Sequence, residues 1–349
     1  MLKTLWVGGK EPKSFLNNHP SNPPLAKGGS GDWEPMMKIR HVFEAQQFNK
    51  KMLKELFTLA GTMERIMEKG GSSLLQGRIL ASLFYVPSNR TRFSFESAMI
   101  RLGGQVLSTE MAESFSSELK GGSLEETIRT VGYYSDVIVL RHHESGSAKR
   151  AAKVSSVPII NGGDGAAQHP TQALLDLYTI ERELGGVDGV VIAFVGDLAN
   201  SRSIRSLCYF LAKYSGIRIY LVSPPTLSMR EDMMQYLKRN RITLYETYGL
   251  EPPLEDLAKK VDIFYVTQIP VGSFGDRLDD YEKSERHFVI DKKILKNMRR
   301  NSILMHPLPR HGEISPEVDR DLRAVYYKQI HYGICIRMAL LCAVLGRMP

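Results

Sequence analysis

Between Tyr85 and Gly104 the chain reads YVPSNRTRFSFESAMIRLGG. Ser88, Asn89, Arg90, Thr91 and Arg92 stand together there, between an apolar run and a helix-like run. Polar groups at this density, with two guanidiniums among them, are costly to bury without a partner. The partner that suits them is an anion. A helix N-terminus offers unpaired N–H groups and the positive end of the helix dipole. Ser88, Arg90 and Thr91 at such a terminus would form a phosphate or carboxylate pocket. A polar helix cap with solvated arginines is the other reading, and local chemistry leaves both open.

Other polar clusters fall where strands end. Arg141 follows the apolar DVIVL and precedes His142 and His143. An arginine at the carboxyl end of a parallel strand points toward the ligand crevice; alternatively it forms a surface ion pair. In GGDGAAQHPTQ, His169 and Gln172 lie three apart at a helix start and so share a face. An imidazole beside a primary amide can polarise a carbonyl and hold an –NH2, or the pair can be structural. VGDLANSRSIRSL resembles a nucleotide-binding strand–loop–helix but has only Gly196 where a dinucleotide site needs G-x-G-x-x-G. Arg202 and Arg205 open its helix and could hold a carboxylate. MHPLPRHGEI is rigid and poor in donors, with carbonyls free to accept from a substrate amide.

The elements that must position these residues alternate. GRILASLFY, QVLST, DVIVLR and VPIING read as strands separated by helices, and HPTQALLDLYTIERELGG is a long helix. A second series follows with GVVIAFVGD, IRIYLVSP, ITLYET, DIFYVTQ and SILMH as strands. Such alternation predicts an α/β fold of two doubly wound domains, each with a mainly parallel sheet flanked by helices and the site in the cleft between them. Residues 1–36 are rich in Pro, Gly, Asn and Ser without periodicity and are expected to be a disordered extension. The two domains are expected at 37–168, completed by a C-terminal helix within 322–349, and at 169–321.

The 349 residues supply enough material for two cores. No apolar run reaches the roughly 18–20 residues of a membrane span, and the N-terminus lacks a signal-peptide layout. Cys208, Cys335 and Cys342 have neither metal nor disulfide spacing. A cytoplasmic protein without metal or cofactor is expected. The net charge of +8 is scattered rather than gathered in a basic tract, which argues for small anionic substrates over nucleic acid. Walker A, H-E-x-x-H, C-x-x-C and G-x-S-x-G motifs are absent. A phosphate site without them suggests a substrate that carries its own leaving phosphate.

Five motifs in order, SNRTRFSFESAMIRLGG, GDGAAQHPTQALLDLYTI, VGDLANSRSIRSL, MHPLPR and YGICIRMALL, resemble aspartate carbamoyltransferase catalytic chains of the aspartate/ornithine carbamoyltransferase superfamily. The resemblance runs from about Met37 to the C-terminus; MHPLPR is similar to the aspartate branch. It implies carbamoyl transfer from carbamoyl phosphate to an amino acid, with L-aspartate giving N-carbamoyl-L-aspartate for pyrimidine biosynthesis. It implies that the phosphate meets Ser88, Asn89, Arg90, Thr91 and Arg141. Thr91, Arg141 and His169 would polarise the carbonyl, while Gln172 and the Leu308 carbonyl would hold the –NH2. SSELKGG looks like the loop that a neighbouring subunit inserts, so that Lys120 and Ser116 complete the pocket and a homotrimer with shared sites follows. The resemblance names no regulatory subunit.

The chain departs from this pattern on the acceptor side. Aspartate enzymes carry a glutamate where Val86 stands, and read T-R-x-Q-x-E-R where this chain places Gln268, Pro270, Gly272 and Ser273. Arg202 remains matched for the amino acid, beside Gln268 and Leu308, and Arg277, four residues past Ser273, could substitute for a lost arginine. Two further readings follow: a carbamoyltransferase for a different amine, and a silent homologue that only binds carbamoyl phosphate.

Overall fold

A computed structural model describes residues 39–110, 122–248, 253–269 and 288–349. The extension expected at 1–36, and Ser116, Lys120 and Arg277, lie outside the described residues.

The first sheet is parallel throughout. Its strands are β1 (Ile79–Phe84), β2 (Gln105–Glu110), β3 (Val137–His142) and β4 (Ile159–Asp164), in the order β2-β1-β3-β4. β3 and β4 are buried along their whole length, as a strand covered on both faces requires. Helices α2 (Asn89–Arg101), α3 (Leu124–Val131) and α4 (Ser147–Val154) make the crossovers. Ahead of them α1 (Lys50–Glu68) starts at Asn49, whose side chain accepts from the Met52 N–H as an N-cap.

Helix α5 (Pro170–Leu184) leads into the second series. Strands β5 (Val191–Val195), β6 (Arg218–Ser223), β7 (Thr243–Tyr248), β8 (Ile263–Val266) and β9 (Ile303–Met305) form a parallel sheet ordered β7-β6-β5-β8-β9. Helices α6 (Arg202–Leu211), α7 (Glu231–Arg239), α8 (Leu254–Ala258) and α9 (Lys292–Asn297) accompany it. The final helix, α10 (Tyr326–Val344), packs on α1, α2 and α5. Its run from Cys335 to Val344 is buried. Each fully buried large apolar side chain there contributes about 1.5–3 kcal/mol.

Both strand orders reverse direction beside the first strand of their series. In the first sheet the chain leaves β1 to one side for β2 and returns to the other for β3. In the second it goes from β5 out to β7 and returns beside β5 as β8. A crevice opens at the carboxyl ends of strands at such switch points. Ser88 follows β1, Arg141 is the next-to-last residue of β3, Arg202 follows β5, and Gln268 follows β8. Gly196, just after β5, has φ +117°, and a Cβ there would run into the Thr267 carbonyl oxygen. The glycine of VGD thus serves close packing of two strand ends rather than a dinucleotide.

Candidate active site

One cavity of about 520 Å³ opens at these strand ends. Its walls include Ser88, Arg90, Thr91, Arg141, His169, Gln172, Arg202, Gln268 and Leu308. Asn89 is exposed at the first position of α2 and contributes no side chain to the wall. The five-residue polar cluster is split by the helix: Arg92 turns away to an ion pair with Glu110 at 3.0 Å. Ser88 occupies the N-cap of α2 but makes no capping bond with its side chain. Its hydroxyl is therefore not spent on the helix.

Four guanidiniums line the cavity, those of Arg90, Arg141, Arg202 and Arg337, and no Asp or Glu stands among the described lining residues. Burial lowers the pKa of Arg90 and Arg202. Burial, with repulsion from Arg202 and Arg90, brings Arg141 down to about 10. Burial brings Arg337 to about 10. All four remain cations at neutral pH, and the wall is a preformed anion site.

Local backbone sets each group. Arg141 Nη1 donates to the Gly162 carbonyl at 3.0 Å. Gly163, at φ +128°, lets it lie there, because a Cβ would meet that same nitrogen. Arg202 Nη1 donates to the Gly165 carbonyl at 2.5 Å. The GGDG run thus forms a floor under two guanidiniums. Arg205 does not join them; both its terminal nitrogens bind Asp232 on α7, which corrects the expectation that it holds a carboxylate in the site. His142 and His143 stack on each other instead of reaching the cavity wall.

His169 precedes Pro170, the first residue of α5. Its Nε2 lies 3.5 Å from Thr91 Oγ1 and its Nδ1 3.4 Å from Thr171 Oγ1. Burial, then Arg141, Arg202 and Arg337, hold it well below its usual pKa, so the imidazole is neutral. Gln172 Nε2 donates to Asp176 Oδ1 at 2.9 Å. That leaves its Oε1 for an N–H donor in the cavity.

The loop after β9 closes one side. Leu308 has φ +54°, a region that non-glycine residues seldom occupy. Its N–H donates to His306 Nδ1 at 2.8 Å, and His306 Nε2 pairs with Glu313 at 2.6 Å. Burial raises the Glu313 carboxyl, but bonds from His306 and the His311 N–H outweigh it and leave the pKa lowered. Because Nδ1 accepts from Leu308, Nε2 carries the proton and donates to the carboxylate. Gln268 lines the wall, yet its side-chain amide donates to the Pro309 carbonyl.

Reading by motif missed Asp176, Glu313, Gln329 and Arg337. Asp176 and Gln329 sit in helices whose neighbours read as core; a carboxylate four residues after Gln172 on one helix face was the signal for the first. Burial raises Asp176 to about 7, against donors from Tyr265, Gln329 and Gln172.

A surface of cations, hydroxyls, a neutral imidazole and a free amide carbonyl can bind a phosphate and polarise an adjacent carbonyl. Two family models match in succession. The aspartate/ornithine carbamoyltransferase carbamoyl-P binding domain covers residues 40–182, and the Asp/Orn binding domain of the same family covers 188–344. The chain belongs to the aspartate/ornithine carbamoyltransferase family. Aspartate carbamoyltransferase 3, chloroplastic, of Pisum sativum is 52% identical over 87% of this chain and 77% of its own length. The chloroplastic aspartate carbamoyltransferase of Oryza sativa subsp. japonica is 50% identical over 87% and 85%. The catalytic subunit of M. jannaschii aspartate transcarbamoylase superposes with a TM-score of 0.82 at 43% identity, covering 88% of this chain and 98% of that one. The α/β architecture of two parallel sheets is that of the family, and the protein is a carbamoyltransferase. The expectation of a cytoplasmic protein is overturned by the plant relatives, which are named chloroplastic. Overall composition carries no information that separates the two compartments.

Proposed function

We propose that the chain transfers the carbamoyl group of carbamoyl phosphate to the amino group of L-aspartate, giving N-carbamoyl-L-aspartate and phosphate for pyrimidine biosynthesis. The observation that carries this is the cavity wall, without Asp or Glu among its described residues, on which Ser88, Arg90, Thr91, Arg141, His169, Gln172 and Leu308 converge, in a chain half identical to enzymes of that name.

In this reading the phosphate lies against Ser88, the α2 N–H groups from Asn89 onward, Arg90, Thr91 and Arg141. Thr91, Arg141 and neutral His169 stabilise the oxyanion that forms when the amine attacks. The C–N bond forms, the C–O bond to phosphate breaks, and the proton released by the amine offsets charge on the departing phosphate. Positioning and electrostatics supply the acceleration. The acceptor carboxylates meet Arg202, Gln268 and Arg277, with the Leu308 carbonyl beside them. Residues 37–168 with α10 form the carbamoyl-phosphate domain and 169–321 the amino-acid domain. Ser116 and Lys120 come from a neighbouring subunit in a homotrimer.

A second reading is favoured by one observation: Gln268 stands where aspartate enzymes place an arginine, and its amide is engaged by Pro309. An acceptor other than aspartate then fills the site. Carbamoyl-phosphate-dependent phosphate release, with aspartate and then a panel of amino acids and amines, separates the two. Saturable release with aspartate supports the first. Release only with another amine replaces it, and silence across the panel leaves a binding homologue.

A further inference from the structure

The carbamoyl-transfer reading needs two acceptors for the –NH2 of the substrate, the Gln172 side-chain carbonyl on α5 and the Leu308 main-chain carbonyl after β9. These come from different sheets' connections, far apart in sequence. A continuous buried chain of hydrogen bonds joins them. Gln172 Nε2 donates to Asp176 Oδ1 at 2.9 Å. Gln329 Nε2 donates to the same oxygen, also at 2.9 Å. The other end of that amide, Gln329 Oε1, accepts from the His306 N–H at 2.9 Å. His306 Nδ1 in turn accepts from the Leu308 N–H at 2.8 Å. The remaining carboxylate oxygen of Asp176 accepts from Tyr265 Oη at 2.8 Å.

The directions are fixed. A backbone N–H can only donate, so Gln329 must present its oxygen to His306 and its –NH2 to Asp176. As a carboxylate Asp176 can only accept, so Gln172 turns its –NH2 toward Asp176 and its carbonyl toward the cavity. Asp176 is fully buried and Gln329 is 2% exposed, so water does not compete for these bonds. A satisfied buried network of this kind has one arrangement.

We propose that Asp176 and Gln329 are positioning residues that set the Gln172 and Leu308 carbonyls as a matched pair for the substrate –NH2, and so make the site select an amide-bearing acyl phosphate over one with a methyl group in that place. The inference rests on the carbamoyl-transfer reading. A site built to accept N–H groups rejects an analogue without them, because its own buried carbonyls are left unpaired. Neither residue need touch the substrate.

The test uses two hydrolysis-proof ligands that differ only at this position, phosphonoacetamide (–NH2) and acetonylphosphonate (–CH3), titrated calorimetrically into the full chain. The native protein is expected to prefer the amide by about 10–100-fold. In Gln329→Met, and independently in Asp176→Asn, the preference falls to about 3-fold or less, while affinity for acetonylphosphonate stays at the native value. That retained affinity also shows that the variant is folded. Equal weakening of both ligands in both variants means a merely structural role and overturns the proposal, as does an unchanged preference. A native chain that binds neither phosphonate removes the carbamoyl-phosphate reading itself; a native preference that survives both substitutions removes only this inference.

Discussion

The side-chain amide of Gln268 donates to the main-chain carbonyl of Pro309, tying the end of β8 to the loop after β9. The resemblance places an arginine at position 268, where it would hold an acceptor carboxylate. An amide engaged by the protein's own backbone offers less. Charge-assisted bonds of the kind an arginine makes contribute about 1.5–3 kcal/mol each. Gln268→Arg is therefore expected to lower the KM for aspartate by about 10–100-fold and leave the affinity for carbamoyl phosphate unchanged. Initial-rate kinetics with each substrate varied in turn measure this. An unaltered aspartate KM would show that position 268 no longer bears on the acceptor.

Arg141 lies buried among like charges, with Arg202 and Arg90 near enough to lower its pKa. Such a group is kept for its ligand. Arg141→Ala should reduce kcat/KM by about 100–1,000-fold, as the loss of an oxyanion donor does, without lowering the melting temperature. Phosphate, as a ligand of the folded state only, should raise the melting temperature of the native chain and not that of the variant. A variant that melts well below the native protein would assign Arg141 a structural role instead.

His169 is held neutral by burial and by Arg141, Arg202 and Arg337. Its folded pKa lies below the unfolded value, so the unfolded chain takes up a proton first as pH falls. The stability this group contributes is present above about pH 6.5 and is lost as pH falls through and below it. Urea midpoints measured from pH 7.5 to 5.5 should decline more steeply for the native chain than for His169→Asn. The His169 ring resonances should show no titration in that range. A titration near pH 6.5 would contradict the neutral imidazole.

Gly196 has no room for a side chain, with the Thr267 carbonyl against it and φ at +117°. Gly196→Ala should destabilise the protein by roughly 3 kcal/mol or more. Gly186→Ala, where nothing lies within 4 Å of the new methyl, should stay within about 0.5 kcal/mol. Denaturant unfolding of both variants reads the contrast.

These residues also show what the sequence makes legible. Buried parallel strands read as unbroken apolar runs, so the alternation of the two series is plain, and polar residues immediately after such runs point to the crevice. Ser88, Arg141, His169 and Arg202 were found that way. What was not legible depends on distant partners. Arg205 looked like Arg202 because Asp232, which claims it, lies 27 residues on. Asp176 and Gln329 meet across 153 residues of sequence, inside helices whose periodicity speaks only of core. The Gly196 turn carried a nucleotide-like pattern because close strand packing and phosphate approach both ask for glycine.

The reaction itself is tested most directly by following the carbamoyl carbon. Carbamoyl phosphate labelled with 13C, incubated with L-aspartate and the full chain, should transfer its label to the ureido carbon of N-carbamoyl-L-aspartate in step with phosphate release, and transfer by Arg141→Ala should be slower by about 100–1,000-fold. Label that stays on carbamoyl phosphate or decays only as the uncatalysed control does, while a different amine receives it when offered, would contradict aspartate as the acceptor.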